Sequence, residues 1–335
     1  MLPRVGTAQW ASLREAGIRT VADLASLDRR KALLVQALPK SAPLGQLIAN
    51  AASVAPETPI KKVVRGSARL AALVNSGIVT AADLVSVEPV YPHLHGKPVG
   101  DLPTLIDLAW IATRGSGAPY RQRGTAETAA PRADVEVDID MECDLDGTTY
   151  LWGTLLTIPS GRKIGVRQGY RPFVSWESPS RWTEYSIFNE VWSWLIRVKF
   201  AALERGLTFR VYCWHESAEV SKLRRGAKLT GVPGVLDAVN AFVSNAEVWV
   251  DLKREFARVA LSPQGLSLKQ IALSAGFHWR DTTPGGDHSM VWFDDARRGG
   301  AASQQRLLDY NEDDLRACLA IRDWLDTNDL PSLPD

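Results

Sequence analysis

The residues best suited to chemistry in this chain are carboxylates at the end of a patterned stretch. Val135-Glu-Val-Asp-Ile-Asp-Met-Glu142 alternates apolar and acidic side chains with the period of two of a strand buried on one face, formed by Val135, Val137 and Ile139. Asp140 and Glu142 then share the opposite side. Two carboxylates so close repel each other unless a cation lies between them, and an all-oxygen donor set selects Mg²⁺ or Mn²⁺. Asp138 and Asp140 have the same spacing and give a second possible register. Asp140 belongs to both, and Asp140 with Glu142 is preferred because the three apolar residues then precede the first ligand. A solvated acidic edge strand is the plain alternative.

A second acidic element, Asp309-Tyr-Asn-Glu-Asp-Asp314, leads into the periodic run Leu315, Cys318, Leu319, Ile321, Arg322, Trp324 and Leu325. This pattern predicts one helix over about 303–326, with Tyr310 and Asp314 one turn apart on a single face. A phenol there can hold a water beside the carboxylate, whereas Tyr-x-x-x-Asp taken alone reads as an exposed acidic helix surface. The elements that must position these groups are also legible. Residues 151–157, 208–214 and Trp249-Val-Asp251 read as strands, and Val220, Leu223 and Leu229 mark a helix after the second of them.

A strand ending in Asp-x-Glu, with Tyr-x-x-x-Asp on a helix well downstream, resembles the first and last motifs of the DEDDy branch of the DnaQ-like exonucleases. Within that branch the chain is similar to the YprB-like domains at the C-terminus of RecB-like nucleases, over roughly residues 134–330. The resemblance implies a ribonuclease H-like α/β fold, a mixed sheet flanked by helices, and 3′–5′ exonuclease activity. It also implies four carboxylates holding two divalent ions, Mg²⁺ or Mn²⁺, and a tyrosine positioning the attacking water. Carried onto this sequence, the ligands are Asp140, Glu142, Glu219 and Asp314, and the tyrosine is Tyr310. Glu is the usual second acid of the family, which favours the Asp140/Glu142 register. Glu219 stands where the middle acid belongs, although many relatives have Asp there and Glu216 lies close by. Asp251 would support the site or merely cap a strand end, and Leu266-Ser-Leu-Lys269 precedes a short helix as in the YprB-like sequences.

At 335 residues, 45% hydrophobic and 23% charged, the chain can bury more than one core. No apolar run approaches a membrane span and no signal-peptide pattern opens the sequence, so a cytoplasmic protein is expected. Cys143, Cys213 and Cys318 are widely spaced, which argues for packing residues rather than disulfides or a thiolate zinc site. The net charge of +1 hides an asymmetry: residues 1–126 carry 15 Lys and Arg against 8 Asp and Glu, a net of +7, leaving 24 against 30, a net of −6, for the remainder. A basic region attracts phosphates, and an acidic catalytic region needs cations before a polyanion can approach.

The basic part contains a repeat at an offset of 60 residues. Gly6, Ala8, Leu13, Gly17, Ile18, Thr20, Ala22, Asp23 and Leu24 recur as Gly66, Ala68, Leu73, Gly77, Ile78, Thr80, Ala82, Asp83 and Leu84. Each copy predicts a helix, a Gly-Ile hinge, and a second helix capped by Thr20 or Thr80 with Asp23 or Asp83 closing a capping box. This is similar to the tandem helix-hairpin-helix units of many DNA repair nucleases, although the turn lacks their frequent Gly-x-Gly. The resemblance makes Gly6, Thr7, Arg65, Gly66, Ser67 and Arg69 the candidate phosphate contacts. A packing or protein-docking hairpin is the alternative. Residues 39–59 form a connector with one short helix, 102–113 another apolar helix, and the Gly/Ala/Pro-rich stretch 114–133 a linker.

Ten of the twelve Trp lie between Trp152 and Trp324. Trp192, Trp194, Trp249 and Trp324 sit in apolar periodic runs and belong to the core. Trp279 and Trp292 flank a loop at 280–289, which carries a solvated His288, and are the candidates to touch an unpaired base. The expectation is a helix-hairpin-helix nucleic-acid-binding region over 1–113, a linker over 114–133, and a ribonuclease H-like nuclease domain over 134–330. Its substrate would be DNA rather than RNA, with no membrane partner. RecB-like relatives commonly carry a further nuclease-like domain ahead of this region, so a separate nuclease or helicase subunit is a possible partner. The competing class is a non-catalytic nucleic-acid-binding adaptor. No basic recognition helix supports a sequence-specific DNA-binding protein.

Overall fold

The computed structural model describes residues 5–87, 90–114, 117–282 and 286–334. It divides into two compact units. The first runs up to Tyr120 and takes in Leu261–Gly265 and the chain from Leu333; the second comprises Arg121–Ala260 and Leu266–Ser332.

In the first unit the helices are α1 (Thr7–Glu15), α2 (Val21–Ala25), α3 (Arg29–Ala37), α4 (Leu44–Ala52), α5 (Ile60–Val63), α6 (Ser67–Asn75), α7 (Ala81–Val85), α8 (Val90–Leu94) and α9 (Leu102–Arg114). The repeat is structural: α1 and α2 recur as α6 and α7. Between each pair the chain turns through a glycine at positive φ, Gly17 at 88° and Gly77 at 79°, a conformation that costs a residue with a Cβ. Thr20 and Thr80 accept from the backbone N–H of Asp23 and Asp83 at 3.0 and 3.2 Å, and each Asp carboxylate accepts in return from its Thr N–H at 2.8 Å. Leu13, Leu24, Leu73 and Leu84 are fully buried, each contributing about 1.5–3 kcal/mol by leaving water. The sequence identities are thus the caps, turns and core of a helical pair.

In the second unit five strands, β1 (Val135–Cys143), β2 (Thr149–Thr157), β3 (Gly169–Val174), β4 (Phe209–Cys213) and β5 (Trp249–Asp251), form one sheet in the order β3-β2-β1-β4-β5. The β3-β2-β1 half is antiparallel, and β4 and β5 run parallel to β1. The helices are α10 (Arg181–Leu203), α11 (Glu216–Leu229), α12 (Val235–Ser244), α13 (Leu252–Val259), α14 (Leu268–Ser274), α15 (Gly286–Ala296) and α16 (Ala301–Asp326). Val135, Val137 and Ile139 pack with Phe188, Val191, Trp194 and Leu195 of α10 on one face of the sheet. Because side chains alternate along a strand, Glu136, Asp138, Asp140 and Glu142 project to the other face, where α16 lies against β1 and β2. This is the mixed sheet flanked by helices that the family resemblance implies.

Two boundaries differ from expectation. The segment 121–133, expected as linker, is packed on the second unit: Thr128 is buried and donates to the Leu325 carbonyl at 2.7 Å, and Ala130 joins Ile321 and Leu325 in a core cluster. Small side chains gave it a linker's composition, yet they also let it lie close against α16. The backbone of 286–296 is helical rather than looped, and the side chain of His288 lies outside the described residues. The three cysteines are free thiols, two of them buried. Among the described residues no helix is long and apolar enough to cross a membrane.

Candidate metal centre

The acid ladder on β1 is divided between two uses by α16. Asp314, Cys318 and Arg322 are each four apart, so one face of the helix presents an acid at one end and a base at the other. Arg322, wholly buried, grips Asp138 through Nη1–Oδ1 and through Nη2–Oδ2 at 2.9 Å, and reaches Glu136 at 3.4 Å. Its guanidinium also lies 3.8 Å from the centroid of the Tyr212 ring. Arg132 closes on the other Glu136 oxygen at 2.9 Å. Both Asp138 oxygens are therefore committed to a bidentate ion pair, and the register that paired Asp138 with Asp140 is not the one assembled.

Asp140, Glu142 and Asp314 come together, each offering a carboxylate oxygen within 4.8 Å of the others. Each also has an oxygen held by a neutral donor. Asn311 Nδ2 donates to Asp140 Oδ2 at 2.9 Å, Ser289 Oγ to Glu142 Oε2 at 2.7 Å, and Trp279 Nε1 to Asp314 Oδ1 at 2.7 Å. Asn311 is oriented in turn by Tyr170, whose hydroxyl donates to its Oδ1 at 3.0 Å. Asn311 fits only because Gly153, the β2 partner of Asp140, has no side chain: a Cβ there would lie 1.7 Å from Asn311 Oδ1.

Glu219 enters from the first turn of α11. It is buried, its Oε2 has no hydrogen-bond partner among the described residues, and its charge bears on Asp140. It stands outside the tight group of three. Glu216, the alternative, turns away to pair with Arg254 at 3.0 Å. Asp251 caps α13 through the Arg254 N–H at 2.8 Å and accepts from the Glu216 N–H at 3.3 Å, so it serves as a strand-end cap beside Glu219.

Burial is the main cause of the high proton affinity of all four acids, and their mutual repulsion adds to it at Asp140. Asp140 is pushed well above the usual carboxylate range, Glu142 to about 8, Glu219 to about 7 and Asp314 to about 6. A divalent ion would offset both the desolvation and the mutual repulsion of four buried carboxylates. The unpartnered Glu219 oxygen and the all-oxygen donor set fit such an ion.

Tyr310 is buried, the charge of Asp314 bears on its phenol, and its hydroxyl accepts from Lys269 Nζ at 3.3 Å. Burial and the three nearby carboxylates push its phenol upward, so it stays protonated. The remaining acids of α16 are taken up elsewhere. Arg280 binds Asp313 at 2.8 Å, Asp309 at 3.0 Å and Glu312 at 3.1 Å, which leaves Asp314 alone to face β1. Trp292, a candidate for base contact, is buried in a T-shaped contact with Tyr310 and has Arg306 over its face, and Trp279 is engaged with Asp314.

Asn311, Ser289 and Tyr170 carry no distinguishing signal of their own in the sequence, and Lys269 enters there only as the end of Leu266-Ser-Leu-Lys269. One signal was present: Gly153 interrupts an apolar strand run, which marks close approach by another group. The candidate phosphate contacts lie in the first unit. Gly6 and Gly66 are the N-caps of α1 and α6, and Thr7 and Ser67 their first residues. Gln9 accepts from the Gly6 N–H at 2.7 Å, whereas the equivalent position of the second copy is Arg69.

Residues 210–326 match the RNase_H_2 family of the RNase_H superfamily. The match starts in β4 and ends with α16, so it includes Glu219, Tyr310 and Asp314 and stops short of β1. No curated protein and no solved structure matches the chain. Together with the sheet order, the match supports a ribonuclease H-like fold for the second unit, and the superfamily suggests a nuclease.

Proposed function

We propose that the chain is a metal-dependent 3′–5′ exonuclease of the DnaQ-like DEDDy type, akin to the YprB-like domains of RecB-like nucleases. The observation that carries this reading is the convergence of Asp140, Glu142 and Asp314 within 4.8 Å, from a strand and a helix more than 150 residues apart. Glu219 completes the set of four acids. Two divalent ions, Mg²⁺ or Mn²⁺, held by these carboxylates would supply the positive charge that stabilises the attacking and leaving oxygens.

The protein's own groups do the rest. A protonated phenol has one donor and two acceptor sites. Tyr310 accepts from Lys269, its proton is free to turn toward Asp314, and its remaining lone pair can accept from a water and aim that water's oxygen at phosphorus. Lys269, whose charge bears on Glu142 and Asp314, offsets part of the negative field that would repel a phosphate. Trp279, Ser289 and Asn311 each hold one oxygen of an acid, leaving the other oxygen for a cation.

The first unit serves as a sequence-independent clamp of helix-hairpin-helix type. Its second copy is the stronger phosphate site, because Arg65 and Arg69 flank Gly66 and Ser67 while the Gly6 N–H is already capped by Gln9. DNA is the favoured substrate, in repair or nucleic-acid processing in the cytoplasm, with a separate nuclease or helicase subunit as a possible partner. The test is release of nucleotides from a 3′-labelled strand and its duplex with Mn²⁺ or Mg²⁺, comparing wild type with Asp314→Ala. Metal-dependent release from the 3′ end that the variant loses is expected. Binding without cleavage under every metal supports the adaptor instead.

A further inference from the structure

A groove with a cavity volume of about 880 Å³ is lined by residues of α11 and α12. One wall is a single stripe of α11. Ser217, Ser221, Arg224, Arg225 and Lys228 follow one another at helical spacing, and all are exposed. The opposite wall includes Ser244 of α12. The head of the groove lies at His215 and Asp251, where β4 and β5 end. Because β1 runs parallel to β4, this is also the sheet edge from which Asp140 and Glu142 emerge. Glu219 sits in the first turn of the same helix, facing the acid group, while the basic stripe faces the groove.

The polar part of the lining complements a phosphodiester chain with serine hydroxyls and cations beside the apolar Val220, Leu229 and Val243, and its two carboxylates are otherwise engaged. Glu216 pairs with Arg254, and Asp251 caps α13. Arg225 is partly neutralised by Glu184 at 2.9 Å, and Arg224 Nε is steadied by Asn240 at 2.9 Å, a bond that takes one of five guanidinium donors. Arg224 and Lys228 therefore carry the groove's net positive charge, within a unit whose overall charge is acidic. From Glu219 to Lys228 the helix advances about 13 Å, the length of about four nucleotides of stacked strand.

We propose that this groove holds the backbone of a single-stranded oligonucleotide whose terminal phosphodiester lies at the acid group, so that the substrate is a strand of several nucleotides and not a dinucleotide. The inference rests on the nuclease reading above. It gives the polyanion a cationic seat beside a site that would otherwise repel it.

The test uses the full chain and two readouts. In the first, a short strand of about five nucleotides bearing 5-iodouracil is photo-crosslinked in Ca²⁺ and the attachment mapped by peptide mass spectrometry. Attachment to α11 and α12 is expected. In the second, Mn²⁺-dependent hydrolysis of that strand and of a dinucleotide is compared for wild type, Arg224→Gln/Lys228→Gln, and the equally charged surface control Arg197→Gln/Arg205→Gln on and just beyond α10. The groove variant should raise KM for the strand about tenfold with kcat unchanged and leave the dinucleotide unaffected. Its log KM against log salt slope should flatten by about 1.4, two contacts at about 0.7 each for a single strand. Crosslinks confined to other elements, or a KM change shared with the control, overturn the groove. Crosslinks in the groove from a wild type that hydrolyses nothing leave the groove standing and remove the nuclease reading.

Discussion

The hydrogen bond from Asn311 to Asp140 decides which oxygen of that carboxylate remains for a cation, and Gly153 makes the bond possible. Gly153→Ala would place a Cβ 1.7 Å from Asn311 Oδ1 and push the amide out. Partners of this kind are worth about 10–100-fold in metal affinity. Gly153→Ala and Asn311→Leu should each weaken Mn²⁺ binding by that order, read by titration calorimetry. Unchanged affinity in both would show that Asp140 holds its place without them. The four acids also give the metal-free protein a distinctive pH response. Their folded-state pKa values lie above the ordinary 3.8 and 4.5, reaching about 6 for Asp314, 7 for Glu219 and 8 for Glu142. The native state then binds more protons than the unfolded chain between about pH 4 and 8, so this contribution to stability is complete below that window and is lost as pH rises through it. Thermal unfolding in EDTA should show Tm falling from pH 5 to 8.5, with Mn²⁺ restoring it most at the alkaline end. A Tm that rises over this range would contradict the buried-acid account.

At the scale of elements, α16 and β1 are joined by opposite kinds of contact along one seam. At one end Asp314 faces Asp140 and Glu142; at the other Arg322 neutralises Asp138 and Glu136 in full burial. Removing one member of a buried pair strands its partner's charge, which costs about 3–5 kcal/mol, whereas removing both can be close to neutral. Arg322→Met should therefore lower the urea midpoint strongly, and Arg322→Met/Asp138→Leu should recover most of the loss while Arg132 retains Glu136. If the double variant is as unstable as the single one, the ion pair has a role beyond neutralisation. In the first unit the two capping boxes are equivalent by sequence and geometry, so Thr20→Ala and Thr80→Ala should each cost about 1 kcal/mol of stability.

At the scale of the whole molecule, the charge is arranged so that the acidic unit carries the acid group and the basic unit carries the hairpins. If Arg65 and Arg69 meet phosphates, Arg65→Gln/Arg69→Gln should weaken duplex binding alike across unrelated sequences. It should also flatten the salt dependence by about 1.8, two contacts at about 0.9 each. A loss restricted to particular sequences would indicate base reading instead. By itself the sequence determined the alternation of β1, the one-turn spacing of Tyr310 and Asp314, and the repeat with its caps, because these are local consequences of strand, helix and turn geometry. The mixed sheet was implied by the resemblance of the motifs to a known family and not by any local pattern. What only the tertiary structure decided was which of many acids face one another. Asp138 differs from Asp140 by a single strand repeat, yet Arg322 takes one and the acid group the other, and Arg280 withdraws Asp309, Glu312 and Asp313 from an acidic run in which each could have been the ligand. The insertion of Asn311 over Gly153 and the seating of 121–133 on α16 depend likewise on residues distant in sequence meeting in space, and no local periodicity encodes that meeting.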